Sequence, residues 1–176
     1  MILSSDSFTV ITVPAWKSAY KSKLSGMSSG SDLEERCYSL YDLNKDDIPE
    51  LFISNGKYHN AFVDVYTYSG GSVVLVDTGL GQYGETLAYE SYLISEYSAP
   101  DYDSYYITTL QGTSLKKVAF LTKEYSEQYS SYKYTYNDST ITESKYNSYL
   151  SQYHISSAFS LGRTYSKTNT SAIDNY

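Results

Sequence analysis

Residues 38–53 read YSLYDLNKDDIPELFI, so that an acidic segment lies between two segments of aromatic and aliphatic residues. Aromatic and aliphatic runs of about four to eight residues are typical of strands. The sequence therefore predicts a strand over 37–42, an acidic loop over 42–50 and a second strand over 51–54.

The acidic loop carries oxygen donors at alternate positions, which would converge on one point in a tight turn. The donors are Asp42, Asn44, Asp46, the backbone carbonyl of Ile48, and Glu50. Ca²⁺ takes about six to eight oxygen ligands, some of them from water, whereas zinc prefers Cys or His, which the loop lacks. The loop therefore predicts a calcium site with these five ligands. The alternative is an acidic turn held by its own Asx hydrogen bonds.

Residues 38–53 resemble the D-x-D-x-D-G-x-x-E-L calcium loops of VCBS and FG-GAP-type repeats. They are most similar to the single-loop form found in secreted or lipoprotein-type bacterial proteins. The resemblance implies a calcium-binding, β-rich protein outside the cell or on its surface. Two positions depart from the pattern: Asp47 stands where it has glycine, and Lys45 places a cation near the expected metal. An EF-hand is excluded because Ile53 stands where that loop has its bidentate Glu.

Composition limits the class of protein. A chain of 176 residues fits one domain, 1–176, and its 23 tyrosines favour strands. The net charge of −7, without a basic cluster, argues against a nucleic-acid partner, and no apolar run is long enough to span a membrane. We predict an α+β fold of mostly antiparallel hairpins, arranged like a propeller or a sandwich, with an N-terminal and a C-terminal helix.

The N-terminal helix is predicted over 14–24, after a strand over 8–13. Trp16, Tyr20 and Leu24 recur at four-residue spacing, which indicates one face of a helix. An aromatic stripe of this kind could be a ligand platform. We interpret it as a face that packs on the core, since that is the usual role of such stripes.

A β-rich region is predicted over 37–141. A second helix over 143–153 begins at the N-cap Thr142, and a polar tail over 162–176 is expected to follow the surface. Three hairpins are indicated by turn residues between apolar runs, with turns at 69–71, 111–113 and 137–138.

The sequence contains no recognisable catalytic motif. Residues 79–84 match G-x-G-x-x-G, but no helical pattern follows them, so a glycine-rich loop between strands is favoured over a dinucleotide site. Asp101, Asp103 and Glu85 are candidates for the paired carboxylates of a glycoside hydrolase, although solvated loops explain them more simply. Cys37 is predicted to be buried.

These patterns lead to one function and one alternative. The first is a non-catalytic, extracellular or cell-surface module that is stabilised by Ca²⁺ and binds a protein or a glycan on a tyrosine-rich β-surface. The alternative is a cell-wall or glycan hydrolase. The N-terminal segment does not have the pattern of a signal peptide, so export would require a leader that precedes it.

Overall fold

A computed structural model describes residues 13–27, 36–56 and 61–176. The predicted strand over 8–13 falls, apart from Val13, outside these ranges. In chain order the elements are α1 (Ala15–Ser25), β1 (Cys37–Tyr41), β2 (Glu50–Ser54), β3 (Val63–Ser69), β4 (Ser72–Leu80), β5 (Gly84–Tyr89), β6 (Tyr92–Ala99), β7 (Tyr102–Gln111), β8 (Ser114–Ser126), β9 (Ser131–Tyr136), β10 (Ser139–Ile141), α2 (Glu143–Gln152), a 3-10 helix (Ile155–Ser157), β11 (Phe159–Ser160), β12 (Tyr165–Ser166) and α3 (Ser171–Asp174).

The strands form two antiparallel sheets, which confirms the predicted α+β class. The five-stranded sheet has the order β12-β1-β2-β3-β4 and is termed the loop sheet, because the acidic loop joins two of its strands. The seven-stranded sheet has the order β10-β9-β8-β7-β6-β5-β11 and is termed the tyrosine sheet. Most neighbours in each sheet are consecutive in the chain, as in a series of hairpins.

The turns explain why these hairpins form. Gly70 and Gly71 join β3 to β4 with φ of 58° and 83°, and Gly112 joins β7 to β8 with φ of 60°. Asn137 and Asp138 join β9 to β10, also with positive φ. Glycine, Asn and Asp tolerate the left-handed backbone that tight hairpin turns require. The three hairpins predicted from these residues are present.

Helix α1 covers the outer face of the loop sheet. Its buried side chains are Trp16, Tyr20 and Leu24. They pack in one cluster with Tyr38, Leu51 and Ile53 from the first two strands, together with Ile173. The aromatic stripe of this helix is therefore part of the core, as predicted.

The two sheets meet face to face through a second cluster. Phe52 and Val65 of the loop sheet pack there with Ala88, Leu93 and Leu110 of the tyrosine sheet. Strand β2 is thus buried on both faces, since Phe52 points toward the tyrosine sheet while its neighbours in the strand point toward α1. The arrangement is sandwich-like.

Helix α2 covers the other face of the tyrosine sheet. Tyr146 from the helix and Tyr153 just after it pack against Ile94, Ile107 and Leu121 of the strands. The helix begins as predicted at Thr142, whose hydroxyl accepts a hydrogen bond from the Lys145 amide at 3.3 Å. The order of layers is α1, loop sheet, tyrosine sheet and α2.

The segment after Gly162 is half-buried or exposed except at Ile173, and it also forms regular structure. It adds β12 to the loop sheet and then forms α3, whose Ile173 is fully buried against α1. The Tyr38 hydroxyl donates to the Asn169 carbonyl at 2.6 Å. Gly162 is required where the chain enters this path, because a Cβ there would lie 2.7 Å from a methyl group of Val63.

Candidate metal centre and neighbouring surfaces

The acidic loop connects two strands that lie side by side. Tyr41 and Glu50 pair across its base, so the loop bridges adjacent antiparallel strands. This is the strand–loop–strand arrangement that the sequence predicts.

Three predicted ligands come together inside the loop. One carboxylate oxygen of Asp42 accepts from the Asp46 amide at 3.2 Å and the other from the Asp47 amide at 3.1 Å. The side-chain oxygen of Asn44 also accepts from the Asp46 amide, at 3.2 Å, and its nitrogen donates to the Asp46 carboxylate at 2.9 Å. The other Asp46 oxygen accepts from the Ile48 amide at 2.9 Å. The loop backbone is therefore held by the side chains of Asp42, Asn44 and Asp46.

The loop accommodates both residues that depart from the calcium-loop pattern. Lys45 and Asp47 both adopt left-handed backbone, with φ of 62° and 66°, a conformation that Asp tolerates better than most residues. The Lys45 ammonium folds back, donates to the Asp42 carbonyl at 2.7 Å and lies 4.6 Å from the centre of the Tyr41 ring.

Glu50 is fully buried. Its carboxylate accepts from the Leu43 amide at 2.9 Å and from the Thr67 hydroxyl at 3.0 Å. Burial raises the pKa of Glu50 to about 7; these two hydrogen bonds lower it, and the charges of Asp46 and Asp42 raise it further. Glu50 is thus a costly buried carboxylate beside two other acids.

The donor types fit a hard cation, but the carboxylates do not by themselves form a metal cluster. In the described ranges no group of three or more His, Cys, Asp or Glu side chains is placed to hold a metal ion. Asp42, Asn44 and Asp46 share one loop interior, whereas Glu50 is engaged by Leu43 and Thr67. The loop therefore has the Asx hydrogen bonds of the alternative interpretation, with oxygen donors that suit Ca²⁺.

Sequence reasoning missed two residues that support this site. Thr67 donates to Glu50 from β3, and the Tyr20 hydroxyl donates to the Pro49 carbonyl at 2.8 Å from α1. Burial, with the nearby charges of Glu50 and Asp46, raises the pKa of Tyr20. Both residues are distant in sequence from the loop, so no local pattern points to them.

A row of aromatic side chains lies on the tyrosine sheet beyond the part covered by the loop sheet. This aromatic face consists of Tyr97, Tyr102, Tyr106 and Phe120. The ring centres of Tyr97 and Tyr102 are 5.9 Å apart, and those of Tyr106 and Phe120 are 6.0 Å apart. Tyr97 and Tyr106 are 37% and 41% exposed, and the Lys117 ammonium lies within 5.9 Å of both rings of the second pair.

The other candidate carboxylates are held in separate contacts. Asp103 accepts from the Ser98 hydroxyl at 2.6 Å and pairs with Lys123 at 3.4 Å. Asp101 is exposed within the turn between β6 and β7. Glu85 accepts from Ser160 at 2.6 Å.

The remaining motif and the single thiol have structural roles. Residues 79–84 run from the end of β4 through the turn at 81–83 to the start of β5, and a strand rather than a helix follows the last glycine. Cys37 is buried, as predicted. None of the helices in the described segments is long and apolar enough to cross a membrane.

Comparison of the chain with protein-family models, with curated protein sequences and with solved structures gives no match. The similarity of residues 38–53 to calcium loops of secreted bacterial proteins therefore stays a prediction.

Proposed function

We propose that the chain is a non-catalytic, extracellular module that binds a glycan on its aromatic face and is stabilised by Ca²⁺ in the 42–50 loop. The observation that carries the binding proposal is the aromatic row of Tyr97, Tyr102, Tyr106 and Phe120, in which Tyr97 and Tyr106 are exposed and the other two rings are half-buried. The proposal for calcium rests on a separate observation, the gathering of Asp42, Asn44 and Asp46 in one loop.

The aromatic face is suited to a ligand because two of its rings, Tyr97 and Tyr106, are exposed to solvent. Tyrosine offers a large rigid surface with a polar end at low cost in side-chain entropy. The rings alternate along the strands with hydroxyl side chains such as Ser104 and Thr122, which point to the same face. A face of rings and hydroxyls can stack on the apolar sides of sugar rings and bond to their hydroxyls.

A protein partner is the second candidate for this face. Protein interfaces are rich in Tyr and Phe but usually have an apolar centre. Here the centre holds Ser104 and Thr122, and Lys117 covers one end. These polar groups favour a glycan.

Calcium is supported by the electrostatics of the loop. Asp42 and Asp46 raise the pKa of the buried Glu50, which means that the negative charges repel one another. In the described segments, the ion pairs between side chains involve other residues. A bound cation would offset this repulsion, and its binding would stabilise the folded protein in proportion to RT ln(1 + [L]/Kd).

The glycan proposal is tested by affinity electrophoresis in gels that contain soluble glycans, such as laminarin, hydroxyethyl cellulose and glycol chitin. We expect retardation by at least one glycan and a loss of about tenfold in affinity for Tyr106→Ala, since stacking of one ring contributes roughly 1–1.5 kcal/mol. The control is Tyr132→Ala, which removes a tyrosine of similar exposure, 39%, from the opposite face. Equal binding by both variants, or no binding to any glycan, would contradict the proposal.

The calcium proposal is tested by thermal unfolding in EDTA and in 5 mM CaCl₂. We expect Ca²⁺ to raise the melting temperature. The gain in the free energy of unfolding should be about 2.7 kcal/mol at a hundredfold excess over Kd. Asp46→Ala should abolish the response, whereas Asp101→Ala, which removes an exposed acid elsewhere, should keep it. If Ca²⁺ does not change the melting temperature of the wild-type protein, the site is ruled out.

The alternative, a hydrolase with paired carboxylates, has less support. Asp103 is tied to Ser98 and Lys123, and Glu85 to Ser160 and Arg163. A general acid and base would have to be free to exchange protons with a substrate. Release of reducing ends from the glycans above would favour the hydrolase.

A further inference from the structure

A groove lies between the tyrosine sheet and helix α2, on the face of the sheet opposite the aromatic face and away from the acidic loop. Its volume is about 510 Å³, within the range of roughly 300–1,000 Å³ typical of small-molecule sites. Glu96 and Tyr105, which pair across β6 and β7, line the sheet side. Asn147, Leu150 and Ser151 line the helix side.

The walls combine polar and apolar groups in a way that suits an amphiphilic ligand. Asn147, Leu150 and Ser151 are spaced three and four residues apart, so they share one face of α2. Ile155, from the 3-10 helix that follows, lines the same groove. Leu150 and Ile155 therefore offer an apolar wall opposite the carboxylate of Glu96.

Glu96 is the charged group of this groove. It is half-buried and accepts a hydrogen bond from the Tyr105 hydroxyl. Burial raises its pKa, and the charges of Glu85 and Asp103 raise it further, while the bond from Tyr105 lowers it. The environment is thus short of positive charge.

The cations near this groove are already paired with the neighbouring acids. Lys123 pairs with Asp103 at 3.4 Å and Arg163 with Glu85 at 3.4 Å. Among the residues that the structure describes, Glu96 has no ion-pair partner. An anion would be repelled here, and the acids do not form a metal cluster in the described ranges.

We propose that this groove binds a small organic ammonium ion, with its charged nitrogen on the carboxylate of Glu96 and its apolar body against Leu150 and Ile155. The ammonium donates to Glu96 and supplies the positive charge that the groove lacks. The side chains of Asn147 and Ser151 lie at the rim and can bond to polar substituents of the ligand. This site is independent of the glycan and calcium proposals.

The test compares n-pentylammonium chloride with 1-pentanol, its neutral counterpart, in ¹H–¹⁵N NMR titrations at constant ionic strength. We expect the ammonium ion to shift the amide signals of β6, β7 and the end of α2. Pentanol should bind at least about tenfold more weakly, because its hydroxyl can donate to the Glu96 carboxylate but carries no positive charge. Equal shifts with both compounds, or shifts spread over the acidic surface, would overturn the proposal.

Three variants test whether pentylammonium binds in this groove. Glu96→Gln should weaken pentylammonium binding about tenfold, whereas Glu124→Gln, at an exposed glutamate of the same sheet, should leave it unchanged. Ser151→Phe places a ring in the groove from an exposed helix position, so it should abolish pentylammonium binding. This variant tests the site independently of whether Glu96→Gln folds. Unchanged binding in Ser151→Phe would refute the site.

Discussion

The loop sheet and the aromatic face of the tyrosine sheet use tyrosine in opposite ways. Around the loop sheet, Tyr20 and Tyr38 are fully buried, and each hydroxyl donates to a backbone carbonyl, of Pro49 at 2.8 Å and of Asn169 at 2.6 Å. On the tyrosine sheet, Tyr97 and Tyr106 remain exposed and contact other rings. The same residue type fastens segments inside one region and covers the surface of the other, so the tyrosine content alone does not reveal a binding surface.

The largest expected contrast is between two phenylalanines. Phe52 is fully buried between the sheets, so Phe52→Ala should lower the free energy of unfolding by about 3–5 kcal/mol. Phe120 on the aromatic face is only half-buried, so Phe120→Ala should cost less, about 1 kcal/mol. Urea unfolding measures both, and similar losses would show that the aromatic face is as much a part of the core as the loop sheet.

The next contrast is the pH dependence of the metal-free protein. The pKa of Glu50 rises from 4.5 to about 7 on folding, so the folded state binds its proton more tightly than the unfolded state. In EDTA, the contribution of Glu50 to stability should therefore be greatest below pH 4.5 and should fall as the pH rises to about 7, by roughly 3 kcal/mol at most.

Chemical denaturation at several pH values in EDTA measures this change. Glu50→Gln should remove the decline between pH 4.5 and 7, and Glu124→Gln on the tyrosine sheet should preserve it. In CaCl₂ the decline should shrink, because a cation favours the ionised carboxylates. A decline that persists in Glu50→Gln would assign the titration to another group.

The smallest contrast is the removal of single hydroxyl groups. Tyr20→Phe leaves the buried Pro49 carbonyl without its donor and should cost about 1–2 kcal/mol. Tyr106→Phe removes a hydroxyl from a partly exposed ring and should change stability by less than about 0.5 kcal/mol. The comparison of the two unfolding curves isolates the role of the hydroxyl, and equal curves would remove the distinction between the loop sheet and the aromatic face.

Local sequence patterns predicted the elements that depend on local chemistry. Thr142 marked the start of α2, the glycines at 70, 71 and 112 marked hairpins, and the spacing of Trp16 and Tyr20 marked α1. Strands β5 and β6 were not predicted, because their turn contains Glu90 at a φ of 50° and no glycine signals it.

The contacts that decide the candidate site are not local. The sequence places Asp42, Asn44 and Asp46 in one loop, and they lie together. It cannot show that Glu50 is engaged by Thr67, because that contact depends on how β2 pairs with β3. Nor does the polar composition of residues 162–176 reveal that Ile173 is buried, since one aliphatic residue gives no periodic pattern.

The position of α3 has a consequence for the order in which the protein is completed during synthesis. Lys17 and Lys21 of α1 bond to Asp174, and Ile173 fills the cluster beneath that helix. The hairpins of the tyrosine sheet join neighbouring segments and can pair as soon as they leave the ribosome. The layer that contains α1 stays open until residues 165–174 arrive, so a helix that is made before the tyrosine sheet is covered only after it.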